Sequence, residues 1–174
     1  MGIFAGLLAA IGVVGMLLWR LNQAAAATRG IAEAASDAHG FVRRLMWRRK
    51  SNKNPLDMIT NPREAAAAML AAVAQWDGAM TQDEMTAIKS QMMEHFGATQ
   101  KQAAELLAGG RWLARDVTDL GAFLKRASPA VVRVCSAPEK RDLIAMLDHI
   151  ASLDGPADEL IRAGIAKLAE HLAH

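Results

Sequence analysis

Ala68 to Glu84, AMLAAVAQWDGAMTQDE, restricts the fold more than any other stretch, because the chain uses its pattern twice. Met69, Leu70, Val73 and Trp76 fall at spacings that gather on one face of a helix. Asp77-Gly78 then reads as a tight turn, with Gly78 able to take the positive φ that closes a helix without a Cβ clash. Thr81 followed by Glu84 spells a capping box, in which hydroxyl and carboxylate each accept an orphan backbone N–H at the start of the next helix. A shift of 77 residues lays Ala68, Met69, Leu70, Ala74, Asp77, Gly78 and Ile88 on Ala145, Met146, Leu147, Ala151, Asp154, Gly155 and Ile165. A duplicated helix–DG–helix unit is the prediction.

The rest of the chain is compatible with the same helical character. It is rich in Ala, Leu and Met, has no Tyr, and carries only four Phe and four Trp. That bias favours helix, and no period-2 alternation marks a strand. Ser51 to Pro55 is a polar linker, which places a domain boundary before residue 54. Residues 54–174 are then expected to form one all-α bundle of about six to eight helices. Asn61-Pro62-Arg63-Glu64 starts the first with cap, proline and acid in order, and it runs to Trp76. The second covers about Gln82 to His95, stopping near Gly97. Thr99 with Gln102 opens a third, which Gly109-Gly110 is expected to terminate. Asp119 to Val134 reads as helix broken at Ser128-Pro129. Ser136, Pro138 and Glu139 open a helix reaching Leu153, and Asp158 caps the last, to about Leu172.

Charge divides the chain. Residues 1–53 hold eight Lys/Arg against two acids, a net +6, whereas residues 54–174 hold twelve against sixteen, a net −4. Ile3 to Trp19 contains no charge and ends at Arg20; at 1.5 Å per residue it spans about 25 Å, at the short end of what crosses a bilayer. Residues 1–20 are therefore expected to be a transmembrane anchor, with Trp19 and Arg20 at the interface. A cleaved signal peptide is the competing reading, but no Lys or Arg precedes the apolar run. Because the cations follow it, the remainder is predicted to face the cytoplasm, on a bacterial inner membrane. Gly2, Gly6 and Ala10 form a small-xxx-small series suited to close packing of two such helices, which makes a homodimer an open alternative.

Residues 21–53 are expected to be a basic amphipathic helical linker. A weak heptad seam from Leu21 to Leu45 is interrupted by Gly30 and Gly40. It ends in FVRRLMWRRKSNK, where Arg43, Arg44, Arg48, Arg49, Lys50 and Lys53 interleave with Phe41, Leu45, Met46 and Trp47. Cations among aromatic and aliphatic side chains suit an anionic membrane surface. A straight helix would lift the cluster about 35 Å from that surface, so a stalk and a membrane-hugging cluster exclude each other. No nucleic-acid motif accompanies the patch.

Chemistry concentrates at the first turn, where Asp77, Asp83 and Glu84 offer the oxygen ligands that Ca²⁺ or Mg²⁺ prefers. The same acids also serve the cap and the helix dipole, so a purely structural role stands beside the metal role. Asp154, Asp158 and Glu159 are their counterparts at the second turn. The five histidines make no ligand motif. Asp148-His149 occupies adjacent helical positions, where the side chains diverge. Cys135, the single cysteine, is expected to be a buried inert thiol. The methionines Met69, Met80, Met85, Met92, Met93 and Met146 are expected in the core. No nucleophile elbow, phosphate-cradling glycine loop or HExxH is present.

The paired helix–DG–helix pattern, with Ser/Thr and a carboxylate opening the following helix, resembles the TerB-like (tellurite-resistance) domain family over roughly Asn61 to Ala173. The resemblance implies a compact helical domain that is not an enzyme and whose turn carboxylates bind divalent metal. Asp77, Thr81 and Glu84 match the first motif. The second keeps Asp154-Gly155 but has Ile161 where the carboxylate would stand, with Asp158 at the cap. An anchor, linker and TerB-like domain also resemble the front of membrane-anchored DjlA-type co-chaperones, although no His-Pro-Asp motif is present. The implied function is a membrane-tethered module that binds a cytoplasmic protein partner. A metal-dependent enzyme on the acidic turns and a membrane-organising oligomer are the alternatives.

Overall fold

The structure, a computed structural model, describes residues 54–173. The expected anchor, the basic linker and their membrane-facing residues Trp19, Arg20, Arg43, Arg44, Trp47, Arg48, Arg49 and Lys50 lie outside the described residues, as does His174. Among the described residues there is no strand, and no helix is long and apolar enough to cross a membrane. A 3₁₀ turn, Pro55–Met58, precedes seven helices: α1 Pro62–Ala74, α2 Gln82–Phe96, α3 Gln100–Ala114, α4 Leu120–Ala127, α5 Pro129–Val134, α6 Ala137–Ala151 and α7 Glu159–Ala173.

The start signals operate as their chemistry requires. Asn61 Oδ1 accepts the Arg63 N–H at 3.0 Å and Pro62 occupies the first turn of α1. At Thr99 the hydroxyl accepts the Gln102 N–H (3.3 Å) while the Gln102 side chain accepts the Thr99 N–H (2.9 Å). Asp119 Oδ1 takes the Ala122 N–H at 2.9 Å to open α4. The break at Ser128-Pro129 is mild. Proline has no N–H to give the carbonyl four residues back, and the fully buried Ser128 hydroxyl donates to that same Lys125 oxygen at 2.8 Å instead.

At the centre runs α1, in which every residue from Ala65 to Ala74 is at most 2% exposed. Seven of those ten are alanine. With so little side chain on any face, neighbouring helices can approach α1 from all sides. It packs most extensively on α3, and also on α6, α4, α2 and α5. Outside it, α7 closes against α4 and α6. The long apolar side chains of the core, Met69, Leu70, Ile88, Met92, Leu124, Met146 and Leu147, are fully buried.

Three local expectations are corrected. Gly109-Gly110 does not end α3, which continues through both glycines to Ala114. A Cβ at Gly110 would lie 2.7 Å from the Ala67 carbonyl carbon and closer still to its oxygen. The glycine is there so that the backbones of α3 and α1 can touch. Gly78, in turn, has no positive φ; Gly97, at φ 59°, makes the left-handed closure, at the end of α2. Of the methionines expected inside, Met93 is exposed.

The duplication is present in the fold. α1 ends at Ala74 and α2 begins at Gln82; α6 ends at Ala151 and α7 begins at Glu159, so both boundaries repeat at the shift read from the sequence. The hydrogen bond from Trp76 N–H to Val73 O (3.2 Å) has its counterpart from Leu153 N–H to Ile150 O (3.3 Å). The turns then diverge. Gly155 has φ 143° and donates to Ser152 O at 3.4 Å, and α6 buries one face where α1 buries all of them.

Candidate functional site

At the first turn Thr81 caps α2. Its hydroxyl accepts the Glu84 N–H at 3.2 Å, and Glu84 Oε2 accepts the Thr81 N–H at 2.6 Å. The second bond explains how a carboxylate tolerates a position only 7% exposed, since a buried charge needs a donor. Asp77 and Asp83 are exposed. At the second turn Asp158 Oδ1 accepts the Leu160 N–H at 2.7 Å, while Asp154, Asp158 and Glu159 all face solvent. Ile161, in the place of Glu84, is buried; the duplicated position has exchanged a cap for core packing.

Among the described residues no three His, Cys, Asp or Glu side chains gather in a group able to hold a metal ion. Asp77 and Asp154 lie in the two turns, and Asp83, Glu84 and Asp158 at the helix starts that follow, but they are not drawn into one metal-holding group. What the geometry assigns to Glu84 and Asp158 is capping.

Two concavities collect chemistry elsewhere. Between α6 and α7 a groove of about 620 Å³ is lined by Ile144, Ala145, Ala169, Leu172 and Ala173, with Lys140, Arg141 and Asp148 among its polar residues. Burial raises the pKa of the Asp148 carboxyl above the usual aspartate value. A smaller cleft, about 160 Å³, brings Arg63, His95, Cys135, Glu139 and Asp142 around Phe96 and Val131. Cys135 is half-buried there. Its thiol is pushed up by burial and then by the charge of Glu139, against a smaller opposing effect of Lys140. The burial expected of Cys135 is thus only partial, and its raised pKa lowers the share of thiolate, the nucleophilic form. Glu139 itself is held below the usual glutamate value because the Ser136 hydroxyl (2.6 Å) and N–H (2.7 Å) both donate to Oε2.

A family model described as tellurite resistance protein TerB matches residues 63–173. The chain belongs to the TerB family. Both Asp-Gly turns and the α6–α7 groove lie inside the TerB match, and residues 1–62 lie outside it. No curated protein and no solved structure gives a significant match. The groove of this TerB domain matches no motif, yet it has a signature: Lys140, Ile144 and Asp148 recur every four residues, beside Ala137, Arg141 and Ala145. Rows at that interval lie along one helix face.

Proposed function

We propose that this TerB-family chain is a non-enzymatic interaction module, tethered by Ile3–Trp19 at the cytoplasmic face of a membrane and receiving a protein partner in the α6–α7 groove. The single observation that carries the reading is the groove itself. Its aliphatic lining, shared with Lys140, Arg141 and Asp148, combines the apolar and polar groups that protein-recognition surfaces use. Three alanines, Ala145, Ala169 and Ala173, leave room for larger side chains from the partner, as a helix or extended segment would supply them. The family description supports a setting in tellurite or related stress resistance. A tuning role for Ca²⁺ or Mg²⁺ at the first turn rests on the exposed carboxylates of Asp77 and Asp83 alone, since hard cations take oxygen ligands and Glu84 is engaged as a cap.

The test is affinity capture with the full-length chain from membranes, in wild-type form and as Ala145→Arg, with and without added divalent cation. Ala145 is exposed on α6, so an arginine there obstructs the groove without entering the core; unchanged circular dichroism checks that. Partners retained by the wild type and lost by the variant support the groove. An identical set from both rejects it.

A further inference from the structure

A third concavity, of about 380 Å³, lies between α4 and α7 and is lined by Asp119, Gly121, Ala122, Lys125, Lys167, Leu168 and His171. Lys167 and His171 are one helical turn apart on α7 and share a face, and Lys125 stands on α4, the helix that α7 packs against most extensively. The domain as a whole is acidic, with sixteen acids against twelve Lys/Arg over residues 54–174, so convergence of cations runs against its composition. Among the described residues, none of these three side chains has a hydrogen-bond or ion-pair partner. The one acid in the lining, Asp119, is occupied as the cap of α4 through its bond to the Ala122 N–H. The cleft also holds Gly121, in the first turn of α4, where backbone N–H groups have no acceptor within their own helix and form a positive dipole end.

We propose that this cleft binds a phosphomonoester dianion. Its parts divide the work by geometry. Lys125 and Lys167 supply ammonium donors from two helices, His171 supplies a ring N–H, and the α4 start supplies backbone N–H. A tetrahedral oxyanion with several acceptor oxygens can engage these together, whereas a carboxylate offers only two. The volume falls in the range of small-ligand sites. The ligand is either a free phosphomonoester or the headgroup of a phosphatidic-acid-type lipid; both present the same group to the same donors.

The full-length chain in detergent is titrated with inorganic phosphate, glycerol 3-phosphate and short-chain phosphatidic acid, and amide resonances are followed. The expected result is a saturable shift confined to Gly121, Ala122, Lys125, Lys167 and His171. Lys125→Gln and Lys167→Gln each weaken binding roughly two- to fivefold, the scale of one exposed charge pair. Asp119→Asn, which keeps an oxygen for the cap but removes the opposing charge, tightens it. Arg133→Gln alters net charge equally from the exposed surface of α5 and leaves it unchanged. Tighter binding of the lipid than of glycerol 3-phosphate assigns the headgroup, and equal binding the free ester. Absence of a saturable shift, or an Arg133→Gln loss as large as the lysine losses, overturns the site.

Discussion

At Gly110 an added methyl group would collide with the Ala67 carbonyl, which is backbone and cannot move aside. Gly110→Ala should therefore destabilise the domain by about 2–3 kcal/mol, the scale of overpacking a core, read as a lowered urea midpoint. Gly164 is the control. A Cβ there meets Leu120 and Leu124 side chains at 3.6–3.7 Å, ordinary contact, so Gly164→Ala should be neutral or stabilise by up to about 1 kcal/mol through helix propensity. The contrast was not legible in the sequence. A Gly-Gly pair reads locally as a terminator, and only the packing of α3 on α1 shows that it serves a distant carbonyl. Cys135 is subject to a neighbour in the same way. Burial and then Glu139 raise the pKa of its thiol, so alkylation at neutral pH should be slower than that of an unperturbed cysteine, and Glu139→Gln should speed it roughly two- to threefold. Mass-spectrometric alkylation rates decide this, and an unchanged rate would show that burial alone protects the sulfur.

Helix starts are the elements most legible in the sequence, because a cap joins residues only two or three apart. Thr81 with Glu84, Thr99 with Gln102, and Asn61 before Pro62 all form the bonds their order implies. Turns were recovered less well: the two Asp-Gly connections share length and boundaries, but Gly78 and Gly155 differ in φ. Their surroundings differ too, since α1 is enclosed and α6 is not. At the start of α6 the Glu139 carboxylate is the acceptor for Ser136, and this has a pH consequence. Its pKa is depressed in the folded chain, so the stabilisation of the α6 start is complete above the ordinary glutamate value. It is lost as pH falls through the depressed one. Ser136→Ala leaves only the backbone donor, and the Glu139 titration should move up toward the ordinary range in carboxyl-detected NMR. A titration that stays put would mean the N–H alone sets the shift.

For the molecule as a whole, the charge division separates two forms of the proposed membrane attachment, which differ in their response to salt. The net +6 of residues 1–53 would hold a peripheral protein on anionic lipid, but that attraction is screened at a Debye length of about 3 Å in 1 M salt. The uncharged run Ile3–Trp19 would hold it by transfer of apolar side chains into hydrocarbon, which salt does not weaken. The full chain should therefore remain with bacterial membranes through washes in 1 M salt and in alkaline carbonate. Replacing Leu8 and Val13 by Arg, which adds about 2.5–3.5 kcal/mol per charge near the centre of the segment, should release it. Retention of that double variant until salt is raised would assign the attachment to Arg43–Lys53 instead. The α6–α7 groove would then be presented by a basic surface contact, and partner capture would acquire the salt sensitivity that an embedded anchor does not confer.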